Sequence, residues 1–192
     1  MDHEEARTRL LDAAGMLFYE RGIQAVSMDE LRAASGVSLK RLYQCFPAKH
    51  VLVEDYLRRR DARWRAELAE YVAGHAASAE DRPLLVFDWL YTWFTAADFR
   101  GCAFINAFGE LGAVSDAVTR ASRDHKLAVL DYVTGLVRAL PVGDPAELAG
   151  QLVLLVDGSI TAAAMTGAPS AARQARRAGA VLVAAACAAE TG

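Results

Sequence analysis

The stretch from Ser27 to Lys49, SMDELRAASGVSLKRLYQCFPAK, constrains what this chain can fold into more than any other. It reads as two short helices joined by a tight turn. Ser27 caps the first helix, and Glu30, three residues on, completes a capping box in which two backbone N–H groups are satisfied reciprocally. Leu31 and Ala34 are the expected inward positions. Gly36 falls where the helix must stop and turn, because glycine reaches a positive φ without steric cost. Val37 packs the turn, Ser38 caps the second helix, and Leu42 with Phe46, at i and i+4, forms its buried face. Two helices joined in this way are a helix-turn-helix, the unit whose second helix lies in the major groove of DNA.

The other face of the second helix has matching chemistry. Lys40, Arg41, Tyr43 and Gln44 point away from Leu42 and Phe46. No carboxylate occurs between Glu30 and Glu54, while Arg32, Lys40, Arg41 and Lys49 lie in that gap. The first helix has an acid three residues after its cap, whereas the second has Arg41 there, which leaves N–H groups for an outside anion such as a phosphate. Lys and Arg suit the guanine O6 and N7 acceptors, so Lys40 and Arg41 are the candidates for base edges. An ordinary surface hairpin with a solvated basic face would not require caps, turn glycine, core spacing and charge gap to agree.

The segment RLLDAAGMLFYERGIQAVSMDELRAASGVSLKRLYQCFPAK resembles the DNA-binding domain of the TetR family of bacterial transcriptional regulators. The resemblance is carried by LLDAA, LF and RG within 10–22, SMDEL at 27–31, ASGVS at 34–38 and LY..FPAK at 42–49. It is close over roughly the first quarter of the chain; beyond that, only length and helical character fit. It implies that Ser27, Ser38, Tyr43 and Lys49 contact phosphates, that Gln44 contacts either phosphate or base, and that the protein dimerises. Lys40 and Arg41 stand where the family usually has a small residue and a small polar one, and Cys45 replaces a commoner His or polar residue.

Composition sets wider bounds. The 192 residues suffice for one ordinary domain or two small ones, and 54% of them are hydrophobic. Ala, Leu and Val dominate and prolines number five, which favours helix. Net charge is −3, so positive charge for nucleic acid must be local. Cys45, Cys102 and Cys187 are widely spaced, as are His3, His50, His75 and His125, so neither a disulfide framework nor a metal site is expected, and no cofactor. The polar N-terminus carries no signal-peptide pattern. The apolar tracts at 152–168 and 178–189 are expected to be interrupted or too short to span a bilayer. A soluble cytoplasmic protein with no membrane segment is the expectation.

The chain order supports an all-α protein of about nine helices. An amphipathic helix over 4–21, with Leu10, Leu11, Ala14, Leu17 and Phe18 on one stripe, ends at Gly22 and completes a three-helix helix-turn-helix domain over residues 1–47. A helix from about 48 to 72 continues without a linker into a regulatory domain over 48–192, a bundle for effector binding and dimerisation. Its Arg58, Arg59, Arg60 and Arg63 form a mostly solvated face. Helices follow over about 82–97, 101–112, 114–140, 145–166 (with Asp144 as cap and Pro145 at the first position) and 170–189. The long helix over 114–140 is amphipathic, with Val118, Leu127, Leu130, Val133 and Val137 among its apolar positions.

Two features bear on partners. The 82–97 helix carries Phe87 and Trp93 among aromatics on several sides, and 101–112 places Phe104 and Phe108 beside Asn106 and Glu110. With Asp157, these seven are the candidate wall of an effector pocket for a small, mostly apolar molecule. Equally, Asn106, Glu110 and Asp157 can satisfy neighbouring backbone groups or helices. The last two helices are apolar nearly all round, so a second copy of the chain is expected to cover them in a homodimer. The leading function is a ligand-responsive transcriptional regulator, a repressor on a palindromic double-stranded operator. The alternatives are an enzyme on a helical bundle, for which no catalytic residue set stands out, and a sensor lacking operator binding.

Overall fold

Caps and turn residues set the helix ends. Asp2 accepts the Glu5 N–H, Ser27 and Ser38 cap the next two helices, and Asp144 accepts the N–H groups of Ala146 and Glu147. The computed structural model describes residues 1–189. Among them the helices are α1 His3–Arg21, α2 Met28–Ser35, α3 Leu39–Cys45, α4 Lys49–His75, α5 Arg82–Phe94, α6 Ala103–Leu111, α7 Asp116–Val137, α8 Pro145–Thr166 and α9 Ser170–Ala188, with no strand. The all-α expectation of about nine helices holds, as does the unbroken helix leading out of the helix-turn-helix.

The chain forms two compact units, one of Met1–Arg63 with Ala103–His125, the other of Trp64–Cys102 with the chain from Lys126 onward. In the first, α1 packs on α2 and α3. Leu10, Ala14, Val26, Leu31, Leu42 and Phe46 are fully buried there. The three helices expected over 1–47 are joined in this unit by the first half of α4. Phe18 meets Tyr56 edge-on at 5.5 Å, Arg7 pairs with Asp55, Arg59 pairs with Asp12, and the Arg60 guanidinium lies 4.1 Å over the Tyr19 ring. Arg58, Arg59 and Arg63 are exposed, as expected of a mostly solvated face, while Arg59 and Arg60 also engage α1.

Three expectations are corrected. Ala34, expected inward, is exposed, and Ser35 is buried instead. Ser35 is the i+4 partner of Leu31, and its hydroxyl donates to the Arg32 carbonyl at 3.1 Å, so the polar group enters the core satisfied. Leu127 is 50% exposed. The buried stripe of α7 runs through Val118, Ser122, His125, Val129, Val133 and Val137, which puts Leu127 on the opposite face. Finally, α8 is uninterrupted over 22 residues and, by length and composition, apolar enough to cross a membrane. It packs on α9 and α5, as a core helix does.

In the second unit α5, α8 and α9 pack together around Phe87, Leu90, Leu152 and Ile160. Trp64 meets Trp89 edge-on at 4.8 Å. The polar side of α5 faces the arginines of α9: Asp88 pairs with Arg176 at 3.0 Å, and Arg173 stacks 4.0 Å over Tyr91.

Candidate nucleic-acid interface

The first helix of the pair is held by its cap. The Glu30 N–H donates to the Ser27 hydroxyl at 3.2 Å, while the Glu30 carboxylate accepts the Ser27 N–H at 2.8 Å and an Arg21 N–H at 2.7 Å. The backbone bond from Ser27, then the Arg21 guanidinium, hold the Glu30 carboxyl down to about 2. At the turn, Gly36 has φ 66 and ψ 17, a left-handed conformation that an L side chain resists. The Ser38 hydroxyl then accepts the Arg41 N–H at 3.4 Å and starts α3.

Helix α3 separates its two faces. Leu42 and Phe46 have no solvent exposure. Lys40, Tyr43 and Gln44 are exposed, and Arg41 is half-buried. Leu39, not singled out from the sequence, is also 51% exposed. Its spacing from Leu42 suggests burial, but it sits in the first turn, where a short helix projects past its partners. Cys45 ends the helix with its thiol 3.6 Å from His3 Nδ1, and burial pushes that thiol up. Lys49 differs from an ordinary surface lysine. It is half-buried, and its ammonium donates to the Ile23 carbonyl at 2.6 Å. Burial lowers its pKa, and the charges of Glu110 and Glu30 oppose that shift.

The seven effector candidates divide between the units: Phe104, Asn106, Phe108 and Glu110 lie in the first, Phe87, Trp93 and Asp157 in the second. Phe104 is buried and stacks on His125 at 3.8 Å, whose Nδ1 lies 2.7 Å from the Asp61 carboxylate. Asn106 and Phe108 are exposed. The Glu110 carboxylate accepts the N–H groups of Ile23 at 3.1 Å and Gln24 at 2.8 Å, and the Gln24 amide donates back to the Glu110 carbonyl at 2.7 Å. The end of α6 is thus fastened to the loop between α1 and α2. A Cβ added at Gly22 would lie 3.1 Å from a Glu110 oxygen, so the approach is close. Asp157 pairs with Lys126 at 2.5 Å, Phe87 is buried and Trp93 half-buried.

Sequence reasoning missed a cleft of about 440 Å³ in the first unit, lined by Ile23, Gln24, Lys49, Val53, Val114 and Val118, among others. Nothing in the local pattern marks it, because its walls come from segments nearly a hundred positions apart.

A capped helix-turn-helix whose second helix buries one face and offers lysine, tyrosine and glutamine on the other defines a DNA-binding regulator of the all-helical class. Residues 10–56 match the family described as bacterial regulatory proteins, tetR family. The whole chain is similar to SCO4454, a TetR-family transcriptional regulator from Streptomyces coelicolor. That match has 30% identity and a TM-score of 0.87, covering 96% of this chain and 97% of that one. A regulator from Streptomyces avermitilis, sav143, matches at 28% identity and a TM-score of 0.81 over 94% of this chain and 97% of its own. The chain belongs to the TetR family of transcriptional regulators, whose members regulate transcription and are not enzymes. The helix-turn-helix transcriptional repressor KstR2 of Rhodococcus jostii is 40% identical over 52 residues, a match spanning 27% of this chain and 26% of that protein.

Proposed function

We propose that the protein is a repressor that binds a palindromic operator as a homodimer and leaves it when a small, mostly apolar effector binds. The observation that carries the reading is the division of α3, with Leu42 and Phe46 buried and Lys40, Tyr43 and Gln44 outward. Lys40 and Arg41 read base edges, where a good bidentate pair is worth roughly 1–3 kcal/mol of discrimination. Ser27, Ser38, Tyr43 and Lys49 set the register on phosphates, and Gln44 serves either class. The domain that does this spans 1–47, and residues 48–192 carry effector binding and dimerisation. That KstR2 is a repressor supports repression rather than activation.

Two copies are needed because successive major grooves lie about 34–36 Å apart. On α8, Leu154, Gly158, Ala162 and Met165 recur at helical spacing and are all exposed, as are Val181, Ala184 and Ala188 on α9. Leu154 is 73% and Met165 82% exposed, which is apolar surface that a second copy would cover. An effector that uses Glu110 or Asp157 competes with or shares the Ile23 and Gln24 N–H groups or Lys126. To lower operator occupancy 100-fold, it needs a differential affinity of about 2.7 kcal/mol between the two states. The site of action is the cytoplasm, with the chromosome.

The test is selection of duplex DNA from a random pool with the purified protein, followed by gel shifts on the recovered sequence. Arg41→Ala should abolish specific binding while the dimer persists in analytical ultracentrifugation. Unchanged affinity and specificity would remove Arg41 from the interface, and recovery of no sequence would remove the function.

A further inference from the structure

The geometry points to the 440 Å³ cleft of the first unit as a binding site for a small amphipathic carboxylate, an apolar chain ending in one negative charge. The inference rests on the regulator reading above for its consequence, but the site stands on its own geometry.

Its size is within the roughly 300–1,000 Å³ range of small-molecule sites. Most of the wall is apolar: Ile23, Val53, Leu111, Val114 and Val118 line it. Ile23, Val53 and Val118 are core residues that form the floor, each at most 3% exposed. Val114 is 80% exposed at the rim, an apolar side chain with little covering it. An apolar chain laid against these residues removes apolar surface from water on both sides of the contact, which favours binding.

The charge at the cleft is equally specific. Lys49 lines it, with His50 and Gln24 beside it. An ammonium carries three N–H donors, and the Ile23 carbonyl takes one of them at 2.6 Å. Burial disfavours the charged form of Lys49, so an anion arriving next to it relieves a desolvation already incurred. The Glu110 and Glu30 charges offset part of that desolvation without outweighing it, and the Glu110 oxygens accept the Ile23 and Gln24 N–H groups rather than a Lys49 N–H. A carboxylate can take an N⁺–H···O⁻ bond there while its chain lies on Val53 and Val118.

Occupancy would bear on DNA binding. Lys49, at the start of α4, is bonded to the loop between α1 and α2, so a ligand that draws Lys49 off the Ile23 carbonyl loosens the loop leading into Ser27.

The probe is decanoate, with decanol as the uncharged comparison, titrated below micelle-forming concentrations into the ¹⁵N-labelled full chain and measured by calorimetry. Saturable decanoate binding is expected, with amide shifts concentrated at Ile23, Gln24, Val114, Ser115 and Val118, and decanol should bind about tenfold more weakly for want of the charge-assisted bond. Val114→Glu, at an exposed position that leaves the core intact, should weaken decanoate about tenfold by like-charge repulsion, and Lys49→Met should weaken it at least as much. Absence of saturable binding, shifts confined to other helices, equal affinity for decanol, or an unaffected Val114→Glu variant would each overturn the site. If decanoate binds but selection recovers no operator, the site stands and the regulator reading falls. If an operator is recovered and decanoate does not bind, the reverse holds.

Discussion

Glu110→Ala tests the fastening of α6 to the loop after α1. The carboxylate accepts two backbone N–H groups, Ile23 at 3.1 Å and Gln24 at 2.8 Å. A hydrogen bond to a charged group contributes about 1.5–3 kcal/mol when water cannot replace it. The Ile23 bond is partly buried and the Gln24 bond is exposed. Water therefore recovers most of the second bond, and the loss should be about 2 kcal/mol, carried mainly by Ile23. Two kilocalories correspond to a factor of about 30 in a local opening equilibrium. Amide hydrogen exchange followed residue by residue by NMR should show Ile23 exchanging about 30-fold faster in the variant, Gln24 accelerated less, and Leu42 unchanged. Glu110→Gln, which keeps one accepting oxygen and loses the charge, should fall about midway in free energy. If Ile23 exchanges at the parent rate in Glu110→Ala, the bonds do not hold the loop and the fastening argument fails.

Other outcomes follow from the same structure. Leu42→Ala removes a fully buried side chain from the helix-turn-helix core and should cost about 2–5 kcal/mol in urea denaturation, with DNA binding lost in parallel. Gly36→Ala puts a Cβ at φ 66 and should destabilise by about 1–2 kcal/mol, although nothing lies within 4 Å of the new methyl; a neutral result would mean the turn relaxes. Glu30, held down to about 2 from an ordinary 4.5, contributes stability that is full above pH 4.5 and lost as pH falls through 2. A carboxyl NMR titration should show that midpoint, and Ser27→Ala should move it upward. Ser27→Ala should also cost about 1 kcal/mol of stability through the lost cap. On a selected operator, Lys40→Ala should weaken binding mainly at one or two base positions and change the salt slope little, whereas losing a phosphate contact would weaken all sequences and reduce the slope by about one.

Much of this protein was determined by residues close together in the chain. The Ser27–Glu30 box, the Gly36 turn, the Ser38 cap and the Leu42–Phe46 pair involve separations of four or fewer, where backbone geometry fixes who meets whom. So the helix-turn-helix, the helix order and the outward Lys40, Tyr43 and Gln44 could be read directly. Ala34 was misplaced because helical periodicity permits either neighbour on a stripe, and only the packed partner selects Ser35; Leu127 was misplaced because α7 carries apolar residues on more than one side, and only packing selects the face with Val129. Glu110 shows the larger gap. Its spacing marks it as a polar group needing a partner, but the partners, Ile23 and Gln24, lie 87 and 86 positions away. The same holds for Lys49 on the Ile23 carbonyl, for Asp157 on Lys126 and for the cleft beside Lys49. A side chain's chemistry states what it requires, and the tertiary contacts, set by burial summed over many residues, decide which distant group meets the requirement.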